Sequence, residues 1–177
     1  MSVLTRRMAA DGGDSSCRAS LRRHAEYLFS RFITPQRPEN RPGRWQRYFR
    51  RWEQATRRQQ LCGNELDLVP QLARHVPPAL VLDKPFYSAF ARSRLYDLLV
   101  ARKLDTVVVT GAETDVCVLA TVISAVDLGF RVVIVDDALC SSSDEGHDAL
   151  MTMYRTRFHE QIDLVEAEQL FEAWRPE

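Results

Sequence analysis

Apolar positions fall along this chain in short continuous runs, separated by breaks rich in proline, glycine and charge. Thr106-Val-Val-Val-Thr110 and Val132-Val-Ile-Val135 are apolar without alternation, the pattern of strands buried on both faces. Residues 27–33 have the aromatic and β-branched content of another strand and stop at Pro35. Residues 79–82 form a further apolar run leading into Asp83-Lys84-Pro85, and a short last strand is expected near 162–165, with Asp136 and Asp137 closing the strand before it. Helical stretches are predicted at 44–58, 66–76, from a Ser93 cap to 103, at 116–128 ended by Gly129, at about 144–157, and finally to Trp174. This alternation predicts an α/β fold: a three-layer α/β/α arrangement with a mostly parallel open sheet.

Composition narrows the picture. A chain of 177 residues with 45% hydrophobic content is long enough for a single core. One domain is expected over 27–177, preceded by a polar, aperiodic leader at 1–26 that reads as loose. No apolar stretch is long enough to span a membrane, and the first residues lack the apolar centre of a secretory signal. Cys17, Cys62, Cys117 and Cys140 are widely spaced and read as reduced thiols, so a cytoplasmic setting is expected.

The net charge of zero hides an asymmetry, because residues 1–60 hold 14 arginines against five acids. An arginine-rich helix within 41–58 is one way to bind nucleic acid. Packing between the two halves of the chain, or plain solvation, accounts for the same charges, and no nucleic-acid partner is expected. In the predicted 44–58 helix, Trp45, Tyr48, Phe49 and Trp52 share one face. Core packing is the plainer reading of that stripe, and lining a pocket or an oligomer contact is the alternative.

Open parallel sheets bind ligands beyond the carboxyl ends of their strands. The strand at 106–110 runs through Gly-Ala-Glu-Thr-Asp-Val into Cys117, where a helix begins. There a thiol faces the positive end of the helix dipole and unpaired N–H groups, which favour its anionic, nucleophilic form. The strand at 79–82 delivers Lys84, one of only two lysines among 22 arginines. Taken alone, Cys117 is as readily a small buried hydrophobe and Lys84 a solvated strand-end charge. Thr114 and Asp115 read as helix caps. His24, His75, His147 and His159 are scattered without metal-ligand spacing, and His147 is expected on a helix surface.

The run from Val107 through Gly111, Thr114-Asp115, Cys117 and Thr121, followed by Ala125-Val-Asp-Leu-Gly-Phe-Arg-Val-Val-Ile-Val-Asp-Asp-Ala138, resembles the isochorismatase-like cysteine hydrolases. Lys84-Pro-Phe-Tyr-Ser-Ala-Phe90 resembles the family's lysine followed by Ser-x-Phe. The resemblance implies that Cys117 is a nucleophile, that Lys84 lies beside it, and that the N–H groups of Glu113 and Cys117 form an oxyanion hole. It also implies a non-proline cis peptide between Ala112 and Glu113.

The chain departs from the family pattern in two places. The family's general base is an Asp at the end of a first, central strand, and no apolar run of that kind precedes Tyr27; Asp11 and Asp14 sit among glycines and serines. That central strand is therefore expected to be missing, through a truncated or misassigned start or through genuine degeneration. Nicotinamidases carry Asp-x-His where Phe32 and Thr34 stand here, so no metal and no cofactor are expected. The function implied is metal-independent hydrolysis of a small amide or carbamoyl substrate, by a homo-oligomer. The alternative is an impaired relative without the triad Asp, acting as an oligomer or binding module.

Overall fold

The computed structural model describes residues 2–6, 26–56 and 66–174. The strands are β1 (Ser2–Arg6), β2 (Glu26–Phe32), β3 (Leu80–Lys84), β4 (Thr106–Ala112), β5 (Arg131–Cys140) and β6 (Ile162–Val165). The helices are α1 (Arg44–Arg51), α2 (Pro70–Ala73), α3 (Leu95–Ala101), α4 (Leu119–Asp127), α5 (Asp144–Arg157) and α6 (Ala167–Trp174). One six-stranded sheet has the order β3-β2-β1-β4-β5-β6. The β2–β3, β4–β5 and β5–β6 pairs are parallel, whereas β1 runs antiparallel to both its neighbours. The mostly parallel α/β sheet expected from the apolar runs is the one observed.

Successive strand residues point to opposite faces, and the two apolar strands use both. Val107, Val109, Val132 and Ile134 pack with Leu95, Leu99, Val122, Ala125, Met151 and Tyr154 of α3, α4 and α5. Val108, Val133 and Val135 face the other way, against Val165, Ala167 and Leu170 at the start of α6. Layers of helix on each face explain why these strands carry no polar alternation.

Several boundaries differ from expectation. The leader expected to be loose contributes β1, which fills the central position expected to be missing. It fills that position upside down: Ser2, opposite Phe29 and Thr110, lies toward the carboxyl ends of the parallel strands. Residues 7–25, with Asp11, Asp14, Cys17 and His24, lie outside the described residues, as does Cys62. The first helix ends at Arg51 and gives way to a 3₁₀ turn at Glu53–Ala55. The helix expected over 66–76 is cut to α2, with Pro70 in its first turn and Pro77-Pro78 beyond its end. Asp136 and Asp137 do not close their strand. β5 continues through an irregularity to Cys140, Asp136 pairs with Arg155, and Asp137 Oδ1 accepts the N–H of Ala167 at 2.9 Å, capping α6.

The core's energetics rest on side chains such as Ile134, which is fully buried. Truncating it, Ile134→Ala, is expected to cost about 2–5 kcal/mol in urea unfolding. An unchanged unfolding midpoint would contradict its place between β4, β6 and the helices.

Candidate active site

The site is built on the elbow where β4 meets α4. The peptide bond between Ala112 and Glu113 is cis. The Glu113 carbonyl then accepts from the N–H of Val116 at 3.2 Å and of Val118, five residues on, at 3.0 Å. That wider spacing makes Thr114–Val118 a π-helical turn, so the helix expected from 116 begins in regular α form only at Leu119. Single π turns of this kind recur at functional sites. Val118 is buried in the core, and Cys117 beside it is half-buried.

β3 ends on Lys84, whose side chain is 1% exposed. Its Nζ donates to Tyr87 O at 2.6 Å, to Phe86 O at 3.2 Å and to Cys117 Sγ at 3.2 Å. The same nitrogen lies 5.3 Å from the centre of the Phe32 ring. Among the described residues no carboxylate is bonded to it. Burial pulls the ammonium below its ordinary value, and attraction from the Cys117 sulfur opposes that shift.

Aromatic rings close over the lysine. Trp45 of α1 meets Tyr87 at 4.7 Å and Phe86 at 5.5 Å between centroids, and Phe32 lies 6.1 Å away. Phe49 from the same helix is buried behind them. Of the aromatic stripe, Phe49 is buried as core packing expects, Trp45 is half-buried against Phe32, Phe86 and Tyr87, and Tyr48 and Trp52 stay exposed. The Tyr87 phenol is pushed up to about 12, first by burial, then by Tyr48 and by the charge of Cys117. At neutral pH it is a proton donor and not a base.

Hydroxyl groups fix the surrounding loops. Thr121 Oγ1 donates to Cys117 O at 2.8 Å and accepts the Ala89 N–H at 3.0 Å, tying the Cys117 turn to the segment after Lys84. Ser88 Oγ donates to Ser124 Oγ at 2.9 Å and accepts from Phe90 N–H. On the other side, Glu113 Oε2 accepts from Ser142 N–H at 2.6 Å, Ser142 Oγ at 2.7 Å and Ser141 Oγ at 3.1 Å. The Ser142 N–H first, then the two hydroxyls, hold the Glu113 carboxyl below the usual carboxylate range.

Asp115 also accepts from Ser141, and an added Cβ at Gly146 would meet its Oδ2 at 2.4 Å. Only glycine there lets the carboxylate lie against the first turn of α5. Both acids of the elbow are thus turned toward Ser141, Ser142 and α5. Thr114, expected as a helix cap, is instead the first residue of the π turn and fully buried, with Oγ1 3.1 Å from Cys140 O and 2.9 Å from His147 Nδ1. His147 is therefore half-buried against the elbow and not on an open helix surface.

The structure brings Lys84 and Cys117 into contact and places the cis Ala112–Glu113 peptide in the same elbow. Sequence reasoning does not single out Tyr87, His147, Ser141 and Ser142 for the site, although Cys140-Ser-Ser-Ser143 lies at the end of the strand beside β4. Where nicotinamidases place metal ligands, Phe32 offers a ring and Thr34 a buried hydroxyl with no partner among the described residues. Those donors do not fit a metal. Among the described residues no three His, Cys, Asp or Glu side chains converge as a metal site. A cavity of about 570 Å³ opens beside β4, β5 and β6, between Arg131, Arg155, His159 and Leu170, and is lined by neither Lys84 nor Cys117.

The model of the isochorismatase domain matches residues 18–166. The chain belongs to the isochorismatase family. The isochorismatase family protein PncA of Bacillus subtilis (strain 168) is 38% identical over 77 residues, 44% of this chain and 42% of that protein. The maleamate amidohydrolase of Pseudomonas putida is 36% identical over 70 residues, 40% of this chain and 33% of that enzyme. The chain thus spans less than half the length of these relatives. Among solved structures, a cysteine hydrolase from Pseudomonas syringae pv. phaseolicola superposes with a TM-score of 0.70 at 19% identity, covering 83% of this chain and 70% of that one. An isochorismatase-like hydrolase from Alkaliphilus metalliredigens gives 0.64 at 22% identity, covering 84% and 72%. At such identities these structures speak for the fold.

The elbow makes two measurable demands. Iodoacetamide at neutral pH is expected to label Cys117 faster than the more exposed Cys140, and Lys84→Met is expected to remove the difference; equal rates in the native chain would contradict an activated sulfur. The folded Glu113 carboxyl lies below its unfolded value, so its stabilising effect is present above the unfolded glutamate range. That effect is lost as pH falls through the folded value. Glu113→Gln should therefore lower the melting temperature at neutral pH, with the gap to the native chain closing in acid. A gap independent of pH would contradict the charge-assisted grip of Ser142.

Proposed function

We propose that this protein is a cysteine hydrolase that cleaves the C–N bond of a small amide or carbamoyl compound without a metal. The observation that carries this reading is Lys84 Nζ, at the carboxyl end of β3, 3.2 Å from Cys117 Sγ in the turn that follows β4. Membership of a family that includes a maleamate amidohydrolase supports the same reading.

Cys117 Sγ attacks the carbonyl carbon, and the N–H groups of Glu113 and Cys117 take the resulting oxyanion. Removing one such donor typically costs about 10²–10³ in turnover. Collapse expels the amine and leaves an acyl group on sulfur, which water then removes to regenerate the thiol. The half-buried Trp45 and Tyr87 rings form an apolar wall suited to a compact substrate, and Tyr87 offers it a neutral hydroxyl. Binding of a small, diffusible substrate by a homo-oligomer fits this reading.

A second reading has two observations in its favour. β1 presents Ser2 at the site end of the sheet where the resemblance assigns an aspartate, and the carboxylates of Glu113 and Asp115 are held by serines. On that reading the chain is an impaired relative that binds without turnover. Ammonia release from maleamate, nicotinamide and N-carbamoyl amino acids separates the two. The hydrolase reading expects release from at least one, falling by about 10²-fold or more in Cys117→Ala. No release from the native chain on any of them favours the impaired relative.

A further inference from the structure

We propose that Lys84 is the proton carrier of this site, doing the work that the family resemblance assigns to an aspartate; the inference rests on the cysteine hydrolase reading and deepens it. Lys84 Nζ has three partners, the carbonyls of Phe86 and Tyr87 and the sulfur of Cys117. An ammonium has three protons to give, one to each. A neutral amine has two protons and a lone pair, which fit the two carbonyls and the S–H. Both protonation states are thus satisfied by one geometry, and a proton passes between Nζ and Sγ without any side chain moving.

The surroundings favour such a passage over a fixed charge. The nitrogen is buried and lies near the Phe32 ring. Among the described residues no carboxylate bonds to it or to Cys117. The nearby acids of the elbow are engaged by Ser141 and Ser142, and Tyr87 is a neutral phenol at working pH. Burial of the nitrogen lowers the cost of losing its proton.

The steps balance as follows. The Lys84 amine takes the Cys117 proton, and the thiolate adds to the carbonyl carbon as the carbonyl π pair moves to oxygen. The pair returns, the C–N bond breaks, and the departing nitrogen takes the proton from the Lys84 ammonium. The neutral amine then takes a proton from water as its oxygen adds to the acyl carbon. The C–S bond breaks, and the sulfur takes that proton back. The sum is amide plus water giving acid plus amine.

The chromogenic ester p-nitrophenyl acetate, applied to the full chain, separates this role from that of a fixed cation. Its first turnover requires only a thiolate, whereas continued turnover requires a base for water. Lys84→Arg keeps the charge but cannot give up its proton. It is expected to retain the initial burst while steady turnover falls by about 10²–10⁴-fold. Asp11→Asn and Asp14→Asn are expected to leave both phases within about threefold.

Lys84→Arg turning over like the native chain, or steady turnover lost in either Asn variant, overturns the proton-carrier role and leaves the hydrolase reading standing. A native chain with no burst removes the hydrolase reading itself. If Lys84→Arg does not melt cooperatively, Lys84→Ala with added ethylamine decides: turnover that rises with ethylamine supports the role, and no rescue overturns it.

Discussion

Everything at this site depends on one buried contact, a lysine ammonium set against a sulfur with no carboxylate among the described residues to balance it. A lone buried charge costs several kcal/mol, so the fold keeps Lys84 only with compensation or with its proton given up. Two carbonyls, the face of Phe32 and the Cys117 sulfur provide that compensation. The same contact joins the end of β3 to the elbow after β4.

Holding the pair in register takes elements far apart in sequence. The π turn places Cys117 between the core residue Val118 and the open side of the elbow. Thr121 joins the back of that turn to Ala89, five residues beyond Lys84. Glu113 and Thr114 are tied in turn to Ser142, Cys140 and His147. Neutral hydroxyls and backbone groups do most of this work around Lys84 and the Cys117 sulfur.

The strands and their parallel arrangement were legible because Val107–Val109 and Val132–Val135 are apolar at every position, which only a sheet covered on both faces explains. Cys117 and Lys84 were legible because each lies at or just beyond the carboxyl end of a strand with an apolar run. The reversed β1 was not, since Ser2–Arg6 is short, mixed and flanked by charge. Nor was the continuation of β5, because Asp136 and Asp137 look like a strand end until Arg155 and the first turn of α6 are seen to take them. His147 and the serines at 141–142 gave no local signal; their role comes from β5 pairing with β4, a contact between residues some thirty positions apart.

Having only two lysines, this chain allows a direct test of the central contact. Lys103 sits at a left-handed turn after α3 and is exposed, while Lys84 is buried. With nitrogen-15 in the lysine side chains, the spectrum should contain one Nζ signal exchanging freely with water and one protected from it. Alkylating Cys117 should move the protected signal and leave the other in place. Two freely exchanging signals, neither responding to alkylation, would contradict the account.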